Sequence, residues 1–177
     1  MDQSVEITLA LGTNIGNKLQ NLLSCLECIN EQIGPIHKMS SIYQTEPWGN
    51  PNQDQFYNMV ISGGTHLSPL ALLRNLKNIE TDLGRVTTEE RYQPRIIDID
   101  IIYYGNASIN VSEPDLTIPH PFLQDREFVL IPLKEIQPLK LHPLLKYLPS
   151  ELLSLLGEHP QTDIIMTSTG LINLQNS

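Results

Sequence analysis

Two carboxylates stand two residues apart in a segment that otherwise has the composition of a β-strand. Residues 97–104 read IDIDIIYY, so Asp98 and Asp100 alternate with isoleucines. Because strand side chains alternate between two faces, we expect the odd-numbered isoleucines to point into a core, with Tyr103 on the same face. Both aspartates then project from the opposite face, with Cα atoms roughly 6.5–7 Å apart. Carboxylates that close repel each other, and Mg²⁺, held also by substrate phosphates, would resolve the repulsion.

Arginines precede this strand. Arg85, Arg91 and Arg95 fall within one short stretch, although the whole chain contains only 11 lysines and arginines. Guanidinium groups recognise phosphate oxygens, so an arginine-bearing loop leading into an Asp-x-Asp strand favours a polyphosphate held between arginines and metal. The alternative is a solvated strand face beside a loop with ordinary surface salt bridges. The spacing by itself does not separate the two.

The composition fits one globular domain and disfavours some partners. The chain has 177 residues, 40% of them hydrophobic and 18% charged, with a net charge of −9. This acidic balance argues against a nucleic-acid partner, which needs a basic face. No apolar run reaches the ~18 residues of a membrane span, and the N-terminus lacks the basic region of a signal peptide. We therefore expect no membrane association and a cytoplasmic location.

The two cysteines do not predict a zinc or redox site. Cys25 and Cys28 fall within a helical apolar pattern, and no second Cys/His pair follows at zinc spacing. We expect both to behave as small hydrophobic side chains.

Hydrophobic periodicity predicts the element order β-α-β-β-α-β. The strands are predicted at 5–11, 36–44, 56–61 and 97–104, and the helices at 18–33 and 68–83. This order is that of the α+β ferredoxin-like fold, an antiparallel sheet with helices packed against one face. Extended loops and a short helical C-terminal extension near 151–156 complete the prediction. Residues 1–166 would form a single domain, and the polar residues 167–177 a frayed tail.

A flat heterocycle is the second kind of ligand that the residue types suggest. Phe56 and Asn58 share one face of their strand, and an aromatic ring beside an amide suits a planar ring with donor and acceptor edges. The loop 45–55 before them holds the only tryptophan, Trp48. Loops this long in compact domains are often functional. The alternative is an aromatic cross-strand contact beside a solvated asparagine.

A long motif in this chain resembles the signature of a known family. Residues 84–100 match the pattern G-R-x(5)-R-x-x-P-R-x-[LI]-D-[LI]-D, which is similar to the signature of the hydroxymethyl-dihydropterin pyrophosphokinases of folate biosynthesis. Other motifs that resemble this family follow its order: G-T-N-I at 12–15, T-x-P-x-G at 45–49, F-x-N at 56–58, I-E-x-x-x-G at 79–84 and P-H-x-x-L-x-x-R-x-F at 119–128. The resemblance covers residues 9–136.

The resemblance implies a Mg²⁺-dependent enzyme. It would transfer pyrophosphate from ATP to the hydroxymethyl group of 6-hydroxymethyl-7,8-dihydropterin and release AMP. ATP would be the co-substrate and two Mg²⁺ ions the cofactors. Members fused to neighbouring folate-pathway enzymes imply that this chain could associate with such an enzyme.

The resemblance also implies roles for individual residues. Asp98 and Asp100 would hold the metal ions, and Arg85 and Arg95 would join them in the catalytic set. The residues implied to contact the nucleotide are Glu80, Arg95, His120 and Arg126. The residues implied to contact the pterin are Thr45, Pro47, Trp48, Phe56, Asn58 and Phe128. The chain departs from residues common in the family at Thr87, Thr88, Tyr92 and Pro121.

Two other functions are compatible with the residue pattern. One is a non-catalytic module that binds a small molecule on the same sheet, with Asp98 and Asp100 on a solvated face. The other is a two-metal nuclease, which the acidic balance disfavours. Metal dependence separates the enzyme from the binding module, because simple binding needs no Mg²⁺. The residue types nominate no obvious general base.

Overall fold

The chain is built around a central antiparallel sheet. The computed structural model describes residues 4–47, 52–85, 94–157 and 162–175. The strands are β1 (Val5–Thr13), β2 (Ile36–Met39), β3 (Ile42–Thr45), β4 (Phe56–Thr65), β5 (Asp98–Tyr104), β6 (Ile109–Ser112), β7 (Asp115–Ile118) and β8 (Asp163–Met166). The helices are α1 (Lys18–Gln32), α2 (Pro69–Asp82), α3 (Glu127–Ile136), α4 (Pro149–Leu156) and α5 (Ser168–Gln175).

Strand β1 lies between β4 and β5 in the sheet. The strand order is β5-β1-β4-β3-β8, with β2 pairing with β4 beside β3. All of these pairings are antiparallel. The predicted strand 36–44 is thus present as two short strands on one edge of β4. The core order is that of the ferredoxin-like fold, so the predicted α+β class is confirmed.

Helices cover both faces of the sheet, whereas the sequence predicts helices on one face. The first face packs against α1 and α2, with Leu26 and Leu76 among the buried side chains. The second face packs against α3 and α4, where Leu130 and Leu152 are buried. The periodicity misses α3 because Pro132 stands inside a nearly continuous apolar run. The predicted helix near 151–156 is confirmed as α4.

The pleat of β5 follows the predicted alternation only as far as residue 101. Its odd-numbered isoleucines lie in the first core, and Asp98 and Asp100 are half-buried on the opposite face. The prediction is wrong for Tyr103, which lies in the second core together with Ile102. The pairing of β5 with β1 shifts register at this point. One extra residue in a strand turns the following side chains to the other face.

Near the C-terminus the structure adds a strand within the predicted domain and a helix, Ser168–Gln175, within the predicted tail 167–177. Strand β8 extends the sheet by pairing with β3, and α5 follows it. Leu171 of α5 is fully buried in the first core. Leu171 therefore attaches α5 to the core, although the sequence around it is mostly polar.

The cysteines and the membrane-span search are the next features of the structure. Cys25 is buried and Cys28 half-buried in α1, both as free thiols, and burial raises the pKa of the Cys25 thiol. Within the ranges that the structure describes, no helix combines the length and the apolar character needed to cross a membrane.

Candidate active site

One cavity opens beside the centre of the sheet, between the ends of β1, β4 and β5 and the start of α3. It holds about 730 Å³ of space including its open mouth. Eight of the residues nominated from sequence line it: Thr45, Phe56, Asn58, Arg95, Asp98, Asp100, Arg126 and Phe128. Residues that are far apart in the chain therefore line the same cavity.

Asp98 is neutralised by two arginines. Its Oδ1 accepts a hydrogen bond from Arg85 Nη1 at 2.5 Å, and its Oδ2 accepts one from Arg95 Nη1. Burial raises the pKa of the Asp98 carboxyl, but Arg95 and Arg85 outweigh that effect and hold the pKa below its ordinary value. The carboxylate is therefore ionised across the physiological range.

Asp100, two residues along the same face, has different partners. Arg126 Nη1 donates to its Oδ2 at 2.7 Å, and His120 Nε2 lies 3.7 Å from the same oxygen. Burial lowers the pKa of His120 despite the opposing effect of Asp100, so the ring is neutral at pH 7. His120 Nδ1 accepts a hydrogen bond from the Phe122 backbone N–H at 3.2 Å. The ring proton therefore sits on Nε2, which points towards the carboxylate.

The other end of the cavity is aromatic and carries an amide. Asn58 is buried, and its Nδ2 donates to Thr45 Oγ1 at 2.6 Å. Phe56 and Phe128 both line the cavity, and the Arg126 guanidinium lies over the Phe128 ring at 5.7 Å from its centroid. A planar ligand with a polar edge can use these groups together.

Known proteins share both the motifs and the fold. Residues 8–138 match the family of 7,8-dihydro-6-hydroxymethylpterin-pyrophosphokinases, abbreviated HPPK. This chain belongs to the HPPK family. It is a pyrophosphokinase of folate biosynthesis, as the resemblance implies.

Individual relatives differ in how much of their length this HPPK covers. It is 39% identical over 140 residues to the 2-amino-4-hydroxy-6-hydroxymethyldihydropteridine pyrophosphokinase of Aquifex aeolicus, a match covering 78% of this chain and 84% of the relative. It is 44% identical over 139 residues to the folic acid synthesis protein FOL1 of Dictyostelium discoideum, covering 78% of this chain and 20% of that protein. The crystal structure of wild-type Plasmodium falciparum HPPK-DHPS matches with a TM-score of 0.72 and 18% identity, covering 87% of this chain and 45% of that chain. The chain thus spans a fifth of one relative and under half of another.

Four of the described residues nominated from sequence do not line the cavity of this HPPK: Arg85 and His120, which pair with the two aspartates of its lining, and Glu80 and Pro47. Glu80 is 1% exposed, and its carboxylate accepts from the Ile99 backbone N–H at 2.7 Å, from Lys77 at 2.8 Å and from Arg85 at 2.5 Å. Burial raises the pKa of Glu80, against the lowering effect of Lys77. Glu80 therefore binds Arg85 from the buried side and holds the arginine in position. Pro47 is half-buried but does not line the cavity.

Several residues named from sequence lie outside the described residues. They are Trp48, Thr87, Thr88, Arg91 and Tyr92.

Asn14 is a residue of this HPPK whose contribution the motif reading missed. Its backbone N–H donates to the Arg95 carbonyl at 3.1 Å, and its Oδ1 accepts from the Arg95 N–H at 2.7 Å. Its Nδ2 donates to Gln53 Oε1 at 3.0 Å. One fully buried amide thus joins the segment that carries Arg95 to the loop before β4. The signal in the sequence was the Gly-Thr-Asn turn at 12–14, which gives no hint of such distant partners.

Proposed function

We propose that this HPPK transfers the β,γ-pyrophosphoryl group of ATP to the hydroxymethyl oxygen of 6-hydroxymethyl-7,8-dihydropterin and releases AMP, using the cavity described above. The observation that carries the proposal is that residues suited to phosphate and residues suited to the pterin line one cavity. A carboxylate–arginine end and an aromatic–amide end line the same cavity. A transfer between two bound substrates requires both to be held next to each other in a fixed orientation.

Asp98 and Asp100 are the proposed ligands of two Mg²⁺ ions. Both side chains are partly exposed, at 20% and 29%. Within the described residues no group of three or more acidic, His or Cys side chains forms a complete metal cage. That pattern suits Mg²⁺, which commonly takes one or two protein carboxylates and fills its other positions with phosphate oxygens and water. When bound, the ions would supply charge neutralisation at the phosphates.

The arginines are proposed to change partners when ATP binds. Arg85, Arg95 and Arg126 now hold the two aspartates. Once the aspartates have another partner, these guanidinium groups are available for phosphate oxygens, with which arginine makes strong, often bidentate, hydrogen bonds. Glu80 keeps Arg85 in position from behind, and His120 offers its Nε2–H to a phosphate oxygen.

The pterin is proposed to occupy the aromatic–amide end. Phe56 and Phe128 would contact the two faces of the ring, and Asn58 would pair with its polar edge. Thr45 holds the Asn58 amide in place. The family resemblance assigns Pro47 and Trp48 to the pterin as well, and Trp48 lies outside the described residues.

Resolving the nucleotide products tests this proposal. The protein is mixed with ATP, Mg²⁺ and 6-hydroxymethyl-7,8-dihydropterin. AMP that forms only when pterin and metal are both present is the expected result. ADP in place of AMP would identify an ordinary kinase, and pterin binding that ignores Mg²⁺, without turnover, would favour a binding module.

Association with a neighbouring folate-pathway enzyme remains a prediction. It is supported by the Plasmodium chain, whose name joins HPPK to DHPS and of which this chain spans 45%. Co-elution of the purified protein with separately produced folate-pathway enzymes on a sizing column checks it.

A further inference from the structure

A glycine, Gly12, lies near the end of β1, next to the cavity. Gly12 is paired on both sides, with Asn58 of β4 and with Asp98 of β5. A glycine in a strand interior weakens the strand, so its presence calls for a local reason. Backbone conformation is not the reason, because Gly12 is not among the described glycines that have a positive φ.

The reason is space on the cavity side. A Cβ at Gly12 would lie 2.8 Å from Asn58 Oδ1 and 3.8 Å from Phe56 Cδ1. The amide of Asn58 thus occupies the volume that a side chain at position 12 would take. Its other atom, Nδ2, is held by Thr45. The absent side chain and the threonine hydroxyl together determine where the amide lies.

The next residue on the same face of β1 is also small. Ala10 lines the cavity and pairs with Val60 on one side and with Asp100 on the other. Ala10 and Gly12, which have little or no side chain, therefore form the floor of the cavity between the amide on β4 and the carboxylates on β5. Two strand spacings, about 9.5 Å, separate the strands that carry these groups.

We propose that Gly12 determines the specificity of this enzyme for its acceptor, with Ala10 completing the floor beneath it. The missing Cβ lets the Asn58 amide lie flat against β1, where it meets the polar edge of a planar heterocycle. The small residues of this floor let the ring extend towards the carboxylates, so that its hydroxymethyl group points at them. The inference rests on the proposed function and names the residues that select the acceptor rather than ATP.

The test compares Gly12→Ala with the wild type in steady-state kinetics, varying ATP and 6-hydroxymethyl-7,8-dihydropterin separately. The new methyl meets the end of the Asn58 side chain rather than backbone, so the strand forms and the amide is displaced. We expect KM for the pterin to rise about tenfold or more and KM for ATP to change less than about twofold.

Gly64→Ala is the matched control. Gly64 is a strand glycine in β4, where an added Cβ would also meet a side-chain oxygen, Ser4 Oγ, at 2.6 Å, and it does not line the cavity. Both KM values should equal those of the wild type. Ala10→Val provides a second variant should Gly12→Ala fail to fold, and it should show the same split between the two KM values.

A readout that needs no turnover is the side-chain amide resonance of Asn58 in ¹⁵N–¹H spectra. It should shift in Gly12→Ala and stay in place in Gly64→Ala. An unchanged pterin KM in folded Gly12→Ala, or equal increases in both KM values, overturns the inference. If the wild type releases no AMP, the proposed function fails. In that case the Asn58 amide resonance is compared between the two variants, and pterin binding is measured in the presence of a non-hydrolysable ATP analogue. These two measurements test the inference without turnover.

Discussion

Asp98 and Asp100 lie two residues apart on one face of β5, yet each is neutralised by different cations. Asp98 is held by Arg85 and Arg95, and Asp100 by Arg126. Guanidinium groups, which are also suited to bind phosphate, thus offset the repulsion expected between the carboxylates.

Replacing either aspartate by asparagine should remove turnover. Asp98→Asn and Asp100→Asn keep the side-chain shape but lose the charged oxygen ligands, so we expect kcat to fall by more than about 100-fold. Initial rates of AMP formation at saturating ATP and Mg²⁺ measure the loss. Asp115→Asn changes an exposed aspartate of β7 and should leave the rate unchanged. Near-normal rates in either cavity variant would contradict the metal assignment.

Asn14→Ala should weaken catalysis although Asn14 is not assigned to either substrate. The substitution removes the hydrogen bonds to Arg95 and Gln53, so both segments lose a fixed position. A misplacement of about 1 Å can cost on the order of 10²-fold in rate, and we expect kcat/KM for both substrates to fall about 10- to 100-fold.

Asn75→Ala is the control for this variant. The Asn75 side chain hydrogen-bonds only locally in α2, to the Ala71 carbonyl among the described contacts. Its kcat/KM values should match the wild type. Wild-type kinetics in a folded Asn14→Ala variant would show that the loop before β4 and the Arg95 segment hold their positions independently.

Glu80→Ala should lower the free energy of unfolding. The buried carboxylate accepts from the Ile99 N–H and pairs with Lys77 and Arg85. Removing one partner of a buried ion pair typically costs about 3–5 kcal/mol. Urea unfolding measures the change, and Glu27→Ala, an exposed glutamate of α1, should stay within about 0.5 kcal/mol of the wild type. A loss as small as that of the control would mean that Glu80 is no buried support.

His142 should make stability depend on acid pH. Its Nδ1 accepts hydrogen bonds from the Leu144 and Leu145 N–H groups at 3.2 and 3.1 Å. Burial, and then Lys146, lower the pKa of His142 in the folded protein. A lowered folded-state pKa stabilises the fold above the unfolded value of about 6.5, and this contribution is lost as the pH falls through the folded-state value.

Comparing unfolding free energies of wild type and His142→Asn between pH 8 and pH 5, roughly the range over which His titrates, isolates this group. Asparagine retains an acceptor but does not titrate, so the variant should lose less stability than the wild type on acidification. Parallel curves would assign the acid sensitivity to other groups, such as His120.

The helix that ends the described chain should contribute to stability. Leu171 is fully buried, whereas its neighbour Ile172 is 48% exposed. We expect Leu171→Ala to cost about 2–4 kcal/mol of unfolding free energy, and Ile172→Ala about 0.5 kcal/mol or less. Equal, small effects in thermal or urea unfolding would restore the expectation of a frayed tail.

Much of the local structure could be predicted because it depends on neighbouring residues. The alternation in 97–101 places Asp98 and Asp100 on one face, and the same period places Phe56 with Asn58. The structure agrees with both placements. The alternation fails at Tyr103 because a register shift against β1 is a property of two strands together. Helix α3 escapes prediction since its apolar run carries no clear helical period.

The sequence by itself determined the family, through an ordered series of motifs, and the faces on which the paired aspartates and the Phe-x-Asn pair stand. Those features follow from residue identity and from the two-residue repeat of a strand. Only the tertiary structure decided which arginine meets which aspartate, that Asn14 reaches Arg95, and that Gly12 leaves room for Asn58. These contacts join residues that are distant in the chain, and their distances depend on how β1, β4, β5 and α3 pack together.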